Sequence, residues 1–259
     1  MPTDWLVPDW PARGVGALMT TRSGGVSRAP FDTMNLRLEV GDDAEAVAHN
    51  RALLAAATAT TPVYLNQVHG AVVARLDAAD LVPNAPVRTA DACVTTCPGI
   101  ACAAQVADCL PVLFAAPAGL GVAAAHAGWR GLAAGVLEAT VSALCEAAAC
   151  EPRELQAWLG ACIGPRQFEV GADVLQAFGA DLASADPARF IQGRPGKWFA
   201  NLPALARDRL MRAGVTGIGG GMWCTVEAPS RFFSYRRDGV TGRMVAAVWL
   251  LPSAGVRGG

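Results

Sequence analysis

Histidine is scarce in this chain. Only three occur among 259 residues, His49, His69 and His126, so any imidazole-based chemistry must draw on them. Basic excess is also missing. Formal net charge is −1 and the basic residues are scattered, which leaves little to neutralise a phosphate backbone and excludes nucleic acid as the expected partner. No long unbroken apolar run is present. Leu110 to Ala127 is interrupted by Pro111, Pro117 and glycines, whereas a spanning helix needs about 20 mostly apolar residues. Met1-Pro2-Thr3-Asp4-Trp5 lacks the basic and apolar regions of a secretory leader, so a cytoplasmic protein with no membrane partner is expected. No G-x-G-x-x-G follows a strand and no G-x-x-x-x-G-K-[ST] occurs, so the dinucleotide and P-loop readings lack their signatures. Repeats of fixed period and low-complexity linkers are absent too, which makes residues 1–259 one expected domain.

What is present is apolar and patterned. The hydrophobic fraction is 53%, enough for a substantial core. Eight cysteines (Cys93, Cys97, Cys102, Cys109, Cys145, Cys150, Cys162 and Cys224) lie in apolar surroundings and read as reduced, mostly buried thiols. Strands are expected over residues 14–21, 63–68, 71–76, 92–96, 100–106, 112–115, 120–125 and 155–162. Residues 232–235 and 244–251 read as closing strands. Helices are expected over 44–57, with Asp42-Asp43 as N-cap, and over 131–149, where Leu132, Val136, Leu137, Val141 and Leu144 recur at helical spacing. Shorter ones fit 172–178 and 202–213. Strands in runs, with helices between the runs, favour an α+β class with mixed sheets.

Three strand ends carry chemistry. His69 ends the segment before Gly70, Cys109 precedes Leu110-Pro111, and His126 precedes Ala127-Gly128. Two imidazoles and a thiolate suit zinc, with the fourth tetrahedral position left for water or substrate. Each residue also has a plain reading. His69 could be a hydrogen-bonded residue at a sheet edge, His126 a buried and satisfied one, and Cys109 a small core hydrophobe. A four-thiolate site of Cys93, Cys97, Cys102 and Cys109 is a rival, weakened because Cys93 and Cys97 on one strand would hold their sulfurs apart. The segment Gly128-Trp129-Arg130-Gly131 leads into the long helix. Its start could hold an anion, reinforced by Arg130, or could be a simple strand-to-helix turn.

These segments resemble a known family. Asn66-Gln67-Val68-His69-Gly70, Ala107-Asp108-Cys109-Leu110-Pro111-Val112, Ala125-His126-Ala127-Gly128-Trp129-Arg130-Gly131, and Ile163-Gly164-Pro165 with Phe168-Glu169-Val170 are similar to the YfiH family. It is also called a polyphenol oxidase or laccase-domain family, a peptidoglycan editing factor family and a purine nucleoside phosphorylase family. Thr20-Thr21-Arg22-Ser23-Gly24-Gly25-Val26-Ser27 and Ser234-Tyr235-Arg236-Arg237-Asp238 extend the resemblance over nearly the whole chain. It implies an α+β domain of mixed sheets packed face to face with helices outside. It implies zinc on His69, Cys109 and His126. It also implies phosphorolysis of adenosine, inosine, guanosine and methylthioadenosine, and deamination of adenosine. An arginine of the first helix contacts substrate or phosphate in relatives, which matches Arg51. Arg130 and Gln67 are the other candidate substrate contacts. Asp91, Asp108 and Glu169 are the candidate proton carriers.

The laccase name conflicts with the composition. Blue and trinuclear copper centres need roughly ten histidines, because each ion takes several imidazoles. Copper is expected only as an adventitious occupant of a zinc site. Two other readings stand beside the phosphorylase. One is an amidase that edits a peptidoglycan precursor, with zinc or with Cys109 as nucleophile beside a histidine. The other is a binding module in which zinc is structural.

Overall fold

The computed structural model describes residues 4–252. In chain order the strands are β1 (Val15–Met19), β2 (Thr61–Val63), β3 (Val73–Arg75), β4 (Ala92–Thr95), β5 (Ile100–Val106), β6 (Leu110–Ala115), β7 (Val122–Ala127), β8 (Gln156–Leu159), β9 (Glu169–Val170), β10 (Phe190–Gln192), β11 (Trp198–Ala200), β12 (Gly217–Gly220) and β13 (Met244–Leu250). The α-helices are α1 (Ala44–Thr58), α2 (Trp129–Ala133), α3 (Val136–Ala148), α4 (Ala172–Ala177), α5 (Leu202–Arg212) and α6 (Tyr235–Asp238). One sheet runs β1-β13-β5-β2 and a second runs β12-β8-β6-β7-β4-β3. Both mix parallel and antiparallel pairs. A small third sheet runs β10-β11-β9.

Alternation along each strand builds the layers. Cys93, Leu113, Ala115, Val122 and Ala124 of the six-stranded sheet share one core with Met19, Cys102, Ala104, Ala246 and Val248 of the four-stranded sheet. The opposite face of the six-stranded sheet, including Val94, Val112 and Phe114, packs with Leu137, Val141 and Leu144 of α3 and with Leu205 and Leu210 of α5. The opposite face of the four-stranded sheet, including Leu18, Ala101, Ala103 and Ala247, packs on Leu54 of α1. The result is helix, sheet, sheet, helix, the expected α+β arrangement. Central strands are covered on both faces, so they read as continuous apolar runs.

Four local expectations need correction. Residues 64–68 are not a strand: β2 is Thr61–Val63, and beyond it only Asn66 makes an isolated bridge, to Thr89. The Leu155–Cys162 strand is only Gln156–Leu159. The long helix is two helices. Gly135 lies between α2 and α3 with φ 94°, a left-handed conformation that glycine adopts without a Cβ penalty. Residues 232–235 are not a strand: Phe232 and Phe233 are core side chains. The Ser234 side chain accepts from the Arg237 N–H and caps α6.

Candidate metal centre

Three passages of chain deliver the donors. His69 lies in the loop between β2 of one sheet and β3 of the other. Cys109 lies where the chain crosses from β5 in the four-stranded sheet to β6 in the six-stranded sheet. His126 lies within β7, opposite Pro111 of β6. Their donor atoms all fall within 4.8 Å of one another. Cys109 Sγ is 3.7 Å from His69 Nε2. The two imidazole rings stand edge to face, with centroids 4.8 Å apart.

Asp91 organises this geometry. It is buried just before β4, and its side chain accepts from the backbone N–H groups of Val68, His69 and Gly70 at 3.2, 2.8 and 2.7 Å. It also meets His126 Nδ1 at 2.9 Å, and its carbonyl accepts from the His126 N–H. One side chain therefore fixes the His69 turn and the His126 ring together. With Nδ1 engaged, Nε2 of His126 is left for the ion, the usual arrangement around metal-binding histidines. Burial pushes the Asp91 carboxyl up, but His126 and the backbone N–H groups outweigh it and hold it below the usual range.

The turns are tight as well as tied. His69 and Asp108 have φ of 62° and 88°, in the left-handed region that His and Asp enter more readily than most residues. Such conformations cost about 1–3 kcal/mol each and persist where neighbours enforce them. For Asp108 the neighbours are the Thr225 hydroxyl and the Arg236 backbone N–H, each donating to its carboxylate at 2.6 Å. Gly128 explains the small residue after His126-Ala127. A Cβ there would stand 2.8 Å from His69 Cδ2 and 3.0 Å from Cys109 Sγ. A Cβ on Gly131 would stand 2.7 Å from the Gly70 carbonyl.

Electrostatics polarise the donors. Burial pushes the Cys109 thiol up, yet the His126 charge and hydrogen bonds from both histidines bring it down to about 6. Burial pushes His126 down, but Cys109 and Asp91 lift it to about 9. Each group thus favours the charged form of the other. The set can hold a divalent metal ion.

A cavity of about 170 Å³ opens beside Cys109, lined in part by Asp108, Trp129, Phe168, Tyr235 and Arg236. Drug-sized ligands occupy roughly 300–1,000 Å³, so this space suits a ring system with the rest of a ligand at the mouth. A larger cleft of about 240 Å³, lined by Phe178, Arg189, Asp208 and Arg209, contains none of the donors, and Arg189 and Arg209 pair there with Asp208 and Glu138.

The remaining expected site residues spread out. Asp108 lines the cavity. Glu169 pairs with Arg194 at 2.7 Å on β9 and is not among the lining residues. Arg130 is exposed and stacks over Trp129, 4.4 Å from the ring centroid. Gln67 is buried and bonds the backbone of Gln105 through both ends of its amide, which straps the His69 loop to β5. Arg51 donates to the Leu36 carbonyl and stacks on Tyr64. The helix starting at Trp129 spans only five residues, so it has little dipole to offer an anion. Sequence reasoning missed the apolar and aromatic wall of Phe168, Tyr235 and Leu202, and the anchoring role of Asp91.

Comparison with known proteins places similar chains over almost the full length. A family described as multi-copper polyphenol oxidoreductase laccase matches residues 16–251. A Pseudomonas aeruginosa protein named purine nucleoside phosphorylase is 50% identical, covering 95% of this chain and 98% of its own. The Escherichia coli protein named purine nucleoside phosphorylase YfiH is 49% identical, over 95% and 98% of the two chains. Among solved structures, a Neisseria meningitidis protein superposes with a TM-score of 0.89 at 46% identity, over 96% and 100% of the chains. YlmD from Geobacillus stearothermophilus gives a TM-score of 0.89 at 32% identity, over 97% and 98%.

Proposed function

The chain belongs to the YfiH family, and on that premise we propose that it is a zinc-dependent purine nucleoside phosphorylase that also deaminates adenosine. The observation that carries the reading is the convergence of His69, Cys109 and His126 within 4.8 Å, with Cys109 in the wall of an aromatic-lined cavity. Zinc fits the donor set. Zn–S and Zn–N bonds at a tetrahedral angle give a sulfur–nitrogen separation of about 3.6 Å, close to the 3.7 Å between Cys109 and His69. Bound zinc supplies Lewis-acid polarisation. Copper in the same place would be adventitious, since three histidines cannot furnish a multicopper centre.

The protein's own groups do the rest. Trp129, Phe168 and Tyr235 offer flat faces for a purine ring. Asp91 holds the His126 proton at Nδ1. Asp108 is the one of the three candidate carboxylates that reaches the cavity wall, and we assign it proton handling at the base. In phosphorolysis a hydrogen phosphate oxygen bonds to C1′ and the C1′–N9 bond breaks toward the base. The phosphate proton ends on the purine, which leaves ribose 1-phosphate. In deamination water replaces the amino group at C6 and ammonia leaves. Adenosine, inosine, guanosine and methylthioadenosine are the proposed phosphorolysis substrates. The proposed setting is the cytoplasm, where thiols stay reduced; all eight cysteines are free.

The test is incubation of metal-analysed protein with inosine or adenosine, with and without phosphate, and product identification by mass. Hypoxanthine and ribose 1-phosphate formed only with phosphate support the reading. Intact inosine under zinc-loaded conditions overturns it. A second reading has its own observation. Cys109, His126 and Asp91 form a thiolate, imidazole and carboxylate series like that of thiol hydrolases, which suits an amidase acting on a peptidoglycan precursor. Activity that survives chelation but not alkylation of Cys109 would favour it.

A further inference from the structure

Helix α3 ends on two cysteines that its own backbone draws together. Ala149 follows the helix with φ 49°, a left-handed position usually filled by glycine. The chain folds back there, and the Cys150 N–H donates to the Cys145 carbonyl at 3.1 Å. The Ala149 N–H shares that carbonyl. A bond from the sixth residue of a turn to the first marks the Schellman type of helix end, in which the side chains of those two residues commonly meet. The backbone alone bounds their separation. Through a 3.1 Å hydrogen bond and standard bond lengths the two Cα atoms can lie no more than about 7 Å apart, the limit for a disulfide.

Both side chains pack at the edge of the α3 core and keep part of their surface in solvent. Other cysteines also lie near one another. Cys93 neighbours Cys102 and Cys162 stands opposite Cys224, but Cys93, Cys102 and Cys162 are fully buried, out of reach of a dissolved oxidant. Burial, then Cys150, Glu151 and Glu154, push the Cys145 thiol up to about 12. Burial also raises Cys150, while hydrogen bonding with the Cys145 thiol works the other way. The acidic neighbours thus withhold the thiolate that would stabilise an open dithiol, and Cys150 is the readier nucleophile.

We propose that Cys145 and Cys150 are a site of reversible thiol oxidation, closing to an intramolecular disulfide when the protein meets a low-molecular-weight disulfide. The Cys150 thiolate attacks one sulfur of the external disulfide. That S–S bond breaks and one external thiolate leaves. Cys145 gives its proton to solvent and attacks the Cys150 sulfur. The mixed bond breaks, the Cys145–Cys150 bond forms, and the second external thiolate leaves. Two protein thiols lose two electrons, the external disulfide gains them, and two protons end on the released thiols. The closed ring ties the last turn of α3 to the Pro152–Glu154 turn that leads into β8. In a reducing compartment the pair stays open until the thiol poise changes, as redox-sensing pairs do.

The experiment treats the zinc-loaded full chain with excess oxidised glutathione, then alkylates and maps peptides by mass. Trypsin releases both cysteines in one peptide, residues 131–153. That peptide should be two hydrogens lighter, unalkylated and free of glutathione, and dithiothreitol should restore it. The oxidised protein should melt roughly 4–9 °C above the reduced one, as expected for closing a six-residue loop in a chain of this size. A variant with both Cys145→Ser and Cys150→Ser should show no such rise. Cys145→Ser alone should trap one glutathione on Cys150, because the resolving thiol is gone. A wild-type peptide carrying two glutathiones overturns the proposal. So does one whose two thiols both remain open to alkylation in excess oxidised glutathione.

Discussion

Replacing Asp91 should loosen the metal more than it loosens the fold, and the two losses can be separated. The carboxylate receives three backbone N–H groups and the His126 ring. Asp91→Ala removes all four interactions at a fully buried side chain, where breaking a buried ionic pair costs about 3–5 kcal/mol. A chain of this size loses about 2–4 °C of Tm per kcal/mol, so the metal-free variant should melt roughly 6–20 °C lower. Asp91→Asn is the sharper test. One amide oxygen still accepts from the turn, so the melting shift should be smaller. The amide NH2 cannot accept from a ring N–H. If it faces Nδ1, the imidazole proton must move to Nε2, where it blocks the ion. Zinc affinity should then fall about 10- to 100-fold, the usual effect of removing an outer partner of a histidine ligand. Chelator competition reads the affinity, and thermal unfolding in EDTA reads the fold. Wild-type zinc affinity in Asp91→Asn would refute the positioning argument outright.

Other expectations follow from the same geometry. Gly128→Ala has no backbone penalty, since φ is −62°, but its Cβ would crowd His69 and Cys109; zinc affinity should drop while the EDTA melting curve barely moves. Zinc loading at pH 7 should release about one proton, because a metal-bound His126 must be neutral while the free ring titrates near 9; calorimetry in buffers of different ionisation enthalpy counts it. In metal-free protein the lowered Cys109 stabilises the fold above its unfolded pKa and loses that contribution as pH falls through about 6. The raised His126 contributes fully below its unfolded pKa and loses it as pH rises through about 9. Stability of the metal-free form should thus be broadest between those limits, as Tm against pH will show. On the proposed function, Cys109→Ala should abolish phosphorolysis and deamination together; full-rate survival of either dissolves the shared site.

Much of this was legible in the chain, and the misses have physical causes. The two histidines stand out because histidine is rare and a glycine follows each within two positions, Gly70 and Gly128; Cys109, one of eight cysteines, stands out less. The strands β5, β6 and β7 are visible as apolar runs. The sheet β10-β11-β9 is not, since its strands span only two or three residues and leave no period to read. Gly217-Ile218-Gly219-Gly220 argues against a strand by composition, yet β12 forms because its backbone pairs with β8. The break at Gly135 was signalled by the glycine, but the apolar spacing on either side still fits one helix. Asp91 reads in the chain as one of three candidate proton carriers, and nothing beside it marks its anchoring role. Its importance comes from four partners, all of them more than twenty positions away, which only the folded chain brings together.

The crossing from β5 to β6 has a consequence for how this protein ages or fails. Two donors ride on passages that join the leaves of the sandwich and the third on one leaf, so a slip of one leaf past the other stretches the cluster before it exposes the interior. Loss of activity on warming should therefore come several degrees ahead of cooperative melting. A loaded ion acts as a rivet through the two leaves, and its removal should show first as increased amide exchange at their shared edge.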